Sequence, residues 1–183
     1  MSFILWFTGL SGAGKSTLAT SLVPRLRERG VGPLEVLDGD EVRTHISKGL
    51  GFSREGRRTN ILRIGYVARL LSRNGVVAIS AAIAPYALDR DAVRQASEAP
   101  FVEVYVRVPL DTVIERDTKG LYRQALAGEI DNFTGISDPY EAPTQAEIVV
   151  DTDKQSVAQS VEQILDYLTQ RGLIAAHSQK EVA

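Results

Sequence analysis

A glycine-rich segment at residues 9–17 carries the clearest chemical signature in the chain. It reads Gly9-Leu10-Ser11-Gly12-Ala13-Gly14-Lys15-Ser16-Thr17 and directly follows an apolar run. In such a loop the backbone N–H groups surround a polyphosphate, a lysine reaches the β- and γ-phosphates, and a serine holds Mg²⁺. The segment predicts an ATP or GTP site, with a turn that binds nothing as the alternative. The predicted nucleotide-binding residues are Gly9, Ser11, Gly12, Ala13, Gly14, Lys15, Ser16 and Thr17.

Two carboxylates follow the second predicted strand, in the sequence Leu37-Asp38-Gly39-Asp40. In open α/β sheets the carboxyl ends of the strands carry the ligand site, so we expect Asp38 and Asp40 beside the glycine-rich loop. Either carboxylate could orient an acceptor hydroxyl or accept its proton, and either could hold Mg²⁺ through water. The alternative is local, with Asp38-Gly39 as a turn and Asp40 as a helix N-cap.

Cationic side chains downstream of this turn are candidates for binding an anionic acceptor. Arg43, Arg57, Arg58 and Arg63 fit this role because a guanidinium matches phosphate or sulfate oxygens with two parallel hydrogen bonds. A solvated helix face is the alternative for all four. Lys119, near the end of a predicted helix, either neutralises phosphate charge or complements the helix dipole.

Two phenylalanines and two histidines are the remaining residues that could have a chemical role. Phe52 and Phe133 lie in polar, glycine-bearing segments. There a ring either stacks on a base or packs in a core. His45 and His177 have no neighbours at metal-ligand spacing, so we expect neither to bind a metal.

The elements that must position these residues follow an alternating pattern. Apolar runs at 3–7, 34–37, 76–81, 101–108 and 148–150 predict five strands, and helices are predicted at 15–29, 57–73, 88–97, 110–117 and 155–170. This alternation is typical of a three-layer α/β fold around a parallel sheet. Residues 120–143 break it and predict a lid over the site. We expect one domain over 1–173 and a flexible tail at 174–183.

Composition excludes several classes of protein. The 183 residues are 44% hydrophobic and 24% charged, as in ordinary globular proteins, and they include no cysteine. The net charge of −2 gives no basic footprint for nucleic acid. No apolar run is long enough to cross a membrane and no signal peptide is recognisable, so a cytoplasmic location is expected.

Longer motifs resemble one particular kinase family. The first group is Leu37-Asp38-Gly39-Asp40 with Arg43, Leu50-Gly51-Phe52-Ser53 with Arg57 and Asn60, and Ile83-Ala84-Pro85-Tyr86 with Asp89-Arg90. The second is Arg116-Asp117, Lys119-Gly120-Leu121-Tyr122, Gly128-Glu129-Ile130, Phe133-Thr134-Gly135-Ile136 and Asp138-Pro139-Tyr140-Glu141 with Pro143. In order and spacing they resemble adenylylsulfate (APS) kinase over residues 6–153. The phosphate loop alone is shared with many proteins, whereas the second group of motifs is specific to this family.

The resemblance implies a P-loop kinase fold and an enzyme of sulfate assimilation. The implied reaction moves the γ-phosphoryl group of MgATP to the 3′-hydroxyl of adenosine 5′-phosphosulfate (APS). Its products are 3′-phosphoadenosine 5′-phosphosulfate (PAPS) and ADP. Carried over by position, Arg43, Arg57 and Asn60 would hold the acceptor's phosphosulfate and sugar, and Phe52 and Phe133 would sandwich its adenine.

The remaining roles follow from the same resemblance. Ile83 would supply backbone contacts to the acceptor, and Lys119 would reach in from the hinge of the lid. Asp38 and Asp40 would serve the hydroxyl and the metal, and which of them is the base stays open. The implied catalytic residues are Lys15, Asp38 and Asp40, and the implied metal ligands are Ser16 and Asp38.

Three positions depart from the family pattern. Some bacterial members carry a serine, reported as a phosphoserine, where this chain has Ala84. Direct transfer without a phospho-enzyme is therefore implied. Many members have arginines at the positions of Ala87 and Leu126, and the loss of two cations predicts weaker nucleotide or acceptor binding unless Arg90, Arg107 or Arg123 compensates.

Two other functions remain as alternatives. One is a non-catalytic PAPS-sensing domain of a sulfurylase fusion, which the intact Lys15 and Ser16 argue against. The other is a kinase of a different small metabolite, which would not need Phe52 and Phe133 as a stacking pair. The resemblance also implies a homodimer, with Leu62, Val67 and Leu70 as candidate contact residues, and a possible fusion or association with ATP sulfurylase.

Overall fold

The computed structural model describes residues 1–176, and all statements below concern that range. Its strands are β1 Ile4–Thr8, β2 Leu34–Asp38, β3 Val77–Ala81, β4 Phe101–Arg107 and β5 Ile148–Asp151. Its helices are α1 Lys15–Glu28, α2 Gly39–His45, α3 Arg54–Arg73, α4 Ala87–Ala96, α5 Leu110–Arg116, α6 Leu121–Leu126 and α7 Val157–Gln170. None of these helices combines the length and the apolar character needed to cross a membrane.

The five strands form one parallel sheet in the order β2-β3-β1-β4-β5. β1 lies at its centre and all five of its residues are buried. Side chains alternate across the sheet: Leu5 and Phe7 pack in the core cluster that includes α1 and α7, whereas Ile4 and Trp6 pack in the cluster that includes α3. The predicted three-layer α/β class is confirmed.

Strand order determines where a ligand can bind. The chain leaves β1 towards α1, and β1 lies between β3 and β4, so the crevice opens at the carboxyl end of the central strand. The ends of β2 and β3 and the loop before α1 therefore share one edge of the sheet.

Two short helices are absent from the sequence-based prediction. α2 has seven residues and begins directly after β2, where the side chain of Asp38 accepts a hydrogen bond from the Asp40 backbone N–H. The N-cap is therefore Asp38, and the alternative in which Asp40 is the cap does not hold. α6 lies inside the predicted lid, where Tyr122 and Ala125 are buried.

Helix and strand ends otherwise agree within a few residues. Gly30 and Gly75 have φ angles of 73° and 82°, so each provides the left-handed residue predicted after a helix. The segment predicted as a tail begins packed, because Ile174 is only 8% exposed. Residues 177–183 of that segment, including His177, lie outside the described residues.

Candidate functional site

The glycine-rich loop links β1 to α1 and leaves the first turn of α1 open. Gly9 approaches β4 so closely that a Cβ there would lie 2.5 Å from the carbonyl oxygen of Val106. Gly14 caps α1 with a φ of 102° and no side-chain hydrogen bond. The first N–H groups of a fourteen-residue helix are thus available to an anion.

Lys15 lies folded back along this loop. Its Nζ donates to the carbonyl oxygens of Gly9, at 3.0 Å, and Leu10, at 2.7 Å. Burial lowers the pKa of Lys15 to about 8, and the nearby carboxylates of Asp40 and Asp38 oppose that effect. A phosphate bound in the loop would supply the negative charge that favours the protonated amine.

Ser16 and Asp38 bring a hydroxyl and a carboxylate together beside the loop. Ser16 Oγ donates to Asp38 Oδ2 at 2.6 Å, and Asp38 Oδ1 accepts the α2 cap bond. Hydroxyl and carboxylate oxygens are ligands that Mg²⁺ prefers, and it binds nucleotide phosphates with few protein ligands. The pair therefore fits a magnesium ion carried by a nucleotide. Within residues 1–176 no cluster of three or more His, Asp or Glu side chains suggests another metal site.

Asp40 faces a different partner. Its Oδ2 lies 2.5 Å from Nζ of Lys119, and both side chains are largely exposed. This pair joins the start of α2 to the segment just after α5. The two carboxylates thus have different partners, Ser16 for Asp38 and Lys119 for Asp40, although both lie near Lys15 of the phosphate loop.

Two arginines surround the ring of Phe52. The guanidinium carbon of Arg43 lies 4.4 Å from the ring centroid and that of Arg57 lies 5.4 Å from it. Burial lowers the pKa of Arg43, and the charge of Arg57 acts in the same direction. Because the two cations repel each other in a half-buried site, an anion bound between them would be stabilised.

Asn60 and Ile83 form the wall next to these arginines. Asn60 is 4% exposed, and its Oδ1 is buried without a hydrogen-bond partner. An acceptor of this kind can take a hydrogen bond from a hydroxyl or an amine of a ligand. The carbonyl of Ile83 is fixed by Thr8, whose Oγ1 donates to it at 2.6 Å.

These side chains surround one cavity of about 310 Å³. Its walls include most of the predicted site residues: Ser11, Gly12, Gly14, Lys15, Ser16, Thr17, Asp38, Asp40, Arg43, Phe52, Arg57, Asn60, Ile83 and Lys119. The lining residues that the prediction did not include are Gly39, Ile61, Ala81, Ala82, Pro85 and Thr118. Ala84, noted above as a departure, also lines the cavity.

Three predicted site residues do not line the cavity. Gly9 lies against β4, and Ala13 is fully buried with its carbonyl bound by Thr152 Oγ1 at 2.8 Å. Phe133 is 8% exposed and packs edge-on against Tyr122, with ring centroids 5.0 Å apart. Phe52 is 53% exposed and lines the cavity, so of the two predicted stacking rings only this one is among the lining residues.

Two of the four candidate arginines, Arg58 and Arg63, do not line the cavity. Arg58 Nη1 binds Asp89 Oδ1 at 3.0 Å, which ties α3 to α4. Arg63 Nη1 donates to the carbonyl oxygen of Ile46 at 2.9 Å. Helix phase explains the difference, because Arg57 lies one turn before Asn60 and Ile61 on the cavity side of α3.

Two of the three arginines named above as compensating cations, Arg90 and Arg107, bind other protein groups. Arg90 is 3% exposed, with Nε 2.9 Å from Glu103 Oε1 and Nη1 donating to the Ala84 carbonyl oxygen at 2.8 Å. Arg107 Nη2 donates to Asp151 Oδ2 at 2.7 Å. Neither lines the cavity. Arg123 is exposed on α6.

Four residues that support the cavity lining through hydrogen bonds were not predicted as site residues: Thr8, Tyr86, Asp138 and Tyr140. Tyr86 OH donates to Asp138 Oδ2 at 2.6 Å, and Tyr140 OH lies 3.0 Å from Thr8 Oγ1. Asp138 and Tyr140 belong to one motif, but nothing in its spacing reveals which side chains it contacts.

Comparison with known proteins identifies the family. The adenylylsulphate kinase family profile matches residues 1–151. An adenylyl-sulfate kinase of Myxococcus xanthus is 55% identical over 177 residues, which cover 95% of both chains. A probable bifunctional SAT/APS kinase of Sorangium cellulosum is 58% identical, over 94% of this chain and 29% of that protein.

A solved structure supports the same relationship. The Mycobacterium tuberculosis APS kinase CysC in complex with AMPPNP and APS is 38% identical and superimposes with a TM-score of 0.86, covering 91% of this chain and 97% of that one. Its fold agrees with the one described above. This chain belongs to the adenylylsulphate kinase family.

Proposed function

We propose that the chain transfers the γ-phosphoryl group of ATP to the 3′-hydroxyl of adenosine 5′-phosphosulfate, which gives PAPS and ADP. The observation that carries this proposal is the single cavity lined by the phosphate loop on one side and by Arg43, Phe52, Arg57 and Asn60 on the other. Phosphoryl transfer needs a donor and an acceptor held in line, and the two sets of residues supply one site for each.

The donor half uses the loop and its lysine. Free N–H groups at the start of α1 bind the β- and γ-phosphates. Lys15 gives up its hydrogen bonds to the carbonyls of Gly9 and Leu10 and pairs with the same phosphates. Because the lysine stabilises charge that spreads over the transferring group, it contributes to the rate and little to folding.

We assign the metal side of the reaction to Ser16 and Asp38. Their 2.6 Å contact supplies a hydroxyl and a carboxylate next to the phosphate loop. When bound there with ATP, Mg²⁺ supplies neutralising charge to the phosphate oxygens. The second oxygen of Asp38 caps α2, which fixes the direction of the carboxylate.

We assign the acceptor hydroxyl to Asp40. Its carboxylate lines the cavity and is shared only with Lys119 among the contacts described. It can therefore accept a hydrogen bond from the 3′-hydroxyl, orient it and take up its proton during transfer. Lys119 then faces the acceptor or the transferring group and balances the negative charge.

The acceptor half recognises an anionic nucleotide. Arg43 and Arg57 bind the phosphosulfate, Phe52 stacks on the adenine, and the unpartnered Oδ1 of Asn60 accepts a hydrogen bond. Stacking on the second face of the base is assigned to Phe133, which would become accessible to the adenine as residues 120–143 close as a lid. We further propose a homodimer, with or without association with ATP sulfurylase.

The test is turnover with defined acceptors. Purified protein is incubated with MgATP and one acceptor at a time, which is APS, AMP, a nucleoside or a sugar acid. ADP and PAPS are measured in each reaction. Equal amounts of ADP and PAPS with APS alone support the proposal, and a folded Lys15→Ala variant loses transfer. Turnover of another acceptor but not APS, or tight PAPS binding without turnover, would reject it.

A further inference from the structure

A turn at residues 132–138, more than seventy positions along the chain, holds the guanidinium of Arg57. Arg57 Nη2 donates to the carbonyl oxygen of Asn132 at 2.5 Å, and its Nε lies 3.6 Å from Asp138 Oδ2. A third contact is local, from Nε to the carbonyl oxygen of Phe52 at 2.9 Å. Two of the three contacts of the guanidinium therefore come from the distant turn, one as a hydrogen bond and one as an ion pair.

The carboxylate of Asp138 is itself fixed. Tyr86 OH donates to Oδ2 at 2.6 Å. The backbone N–H of Asp138 donates to the Phe133 carbonyl at 3.1 Å, and its carbonyl accepts from the Gly135 N–H at 2.7 Å. Burial raises the pKa of Tyr86 to about 12, and the bond to Asp138 acts in the same direction, so the phenol remains a donor at neutral pH.

The turn also places one negative charge behind one of the two cavity arginines. Burial lowers the pKa of Arg57, and the charge of Asp138 opposes that effect. Arg57 is 5% exposed and has Asp138 as its ion-pair partner. Arg43 forms no ion pair among the described residues, and the carboxylate that acts on its pKa is Asp40. Asp138 thus offsets part of the cost of burying the Arg57 guanidinium, which remains charged and able to bind an anion on its cavity side.

We infer that Asp138 is a positioning residue for the acceptor: it holds the Arg57 guanidinium in the orientation that binds the acceptor's anionic group, and Tyr86 holds Asp138. This rests on the proposed function, in which Arg57 contacts APS. Asp138 does not line the cavity, so its effect on the acceptor passes through Arg57. The phosphate loop shares no described hydrogen bond with Asp138, and binding of ATP is independent of it.

The first variant is Asp138→Asn, which keeps the size of the side chain and an oxygen for Tyr86 but removes the charge. The KM for APS rises about tenfold, whereas kcat at saturating APS and the KM for ATP change less than about twofold. Tyr86→Phe changes the KM for APS in the same direction by a smaller factor. Asp131→Asn, at an exposed carboxylate of the same segment, is the matched control and changes neither constant.

A double-mutant cycle separates positioning from a general structural role. In an Arg57→Gln background, Asp138→Asn changes the KM for APS by less than about twofold, because no guanidinium remains to be positioned. Thermal unfolding of every variant is measured in parallel, and Asp138→Glu restores part of the affinity for APS.

Three results would overturn the inference while APS remains the substrate of the unmodified protein. They are an unchanged KM for APS in Asp138→Asn, an equal loss for ATP and APS with a lowered Tm, and a full tenfold effect in the Arg57→Gln background. If the unmodified protein does not phosphorylate APS, the proposed function fails, and the inference fails with it.

Discussion

Nζ of Lys119 lies 2.5 Å from Oδ2 of Asp40, and both side chains line the same cavity. The contact joins the residue before the predicted lid to the start of α2. With 56% and 77% of the two side chains exposed, the pair is well solvated. An exposed ion pair contributes little to stability, so its significance lies in the charges that it holds beside the acceptor site.

Lys119→Ala therefore affects the reaction more than the fold. We expect the free energy of unfolding to change by less than about 1 kcal/mol. The KM for APS rises about tenfold or more, because a charge-assisted contact to the acceptor is lost. Steady-state kinetics and urea unfolding measure the two effects. Lys48→Ala, at an exposed lysine outside the cavity, is the control, and an unchanged KM in Lys119→Ala would remove this residue from the acceptor site.

Nucleotide affinity depends on pH through Lys15. In the free protein burial lowers its pKa to about 8, so the amine loses its proton as the pH rises through that value. Bound phosphate favours the protonated form and raises the pKa, so binding takes up a proton above pH 8. Affinity for an ATP analogue consequently falls with rising pH, by at most about tenfold per unit.

The measurement is the Kd of the analogue with Mg²⁺ between pH 7.5 and 9.5. Lys15→Ala binds more weakly and loses this pH dependence, whereas Lys48→Ala retains it. The same slope in Lys15→Ala would show that another group takes up the proton.

The two phenylalanines predicted to stack on adenine should respond differently to truncation. Phe133 is buried against Tyr122, so Phe133→Ala lowers the free energy of unfolding by about 3 kcal/mol. Phe52 is half exposed, so Phe52→Ala changes it by less than about 1 kcal/mol. Both variants raise the KM for APS if the ring pair forms on closure. A Phe133→Ala variant with normal affinity for APS would limit this residue to the core.

Direct transfer predicts the stereochemistry of the reaction. Ala84 lines the cavity and carries a methyl group, with a φ of 46°. It offers no nucleophile to accept a phosphoryl group. A single in-line displacement inverts the configuration at phosphorus, whereas two successive displacements retain it. ATP made chiral at the γ-phosphorus should yield an inverted product, and retention would require a phospho-enzyme at another residue.

The layer architecture could be predicted because it depends on short-range patterns. Continuous apolar runs located all five strands within two residues, and Gly30 and Gly75 marked helix ends through their need for positive φ. α2 was missed because its seven residues carry no helical period, and only the cap at Asp38 indicates its start.

The site was predictable as a set of residue types and less so as a geometry. Arg57 and Arg58 are adjacent in sequence, yet one lines the cavity and the other binds Asp89. Their separation follows from the phase of α3, in which Arg57, Asn60, Ile61 and Ile64 repeat at helical spacing and are all buried. That pattern could have distinguished the two arginines. The contact from Asp138 to Arg57 depends on how a distant turn folds back, which local patterns do not encode.

The central claim is that donor and acceptor meet in one cavity, with the 3′-hydroxyl directed at the γ-phosphorus. A crystal structure of the protein with a non-hydrolysable ATP analogue, Mg²⁺ and APS measures this directly. We predict that the 3′-oxygen lies about 3–3.5 Å from the γ-phosphorus and in line with the leaving oxygen. The adenine of APS should contact Phe52, and its phosphosulfate should contact Arg43 and Arg57. An acceptor bound elsewhere, or too distant for in-line attack after closure of residues 120–143, would contradict the account.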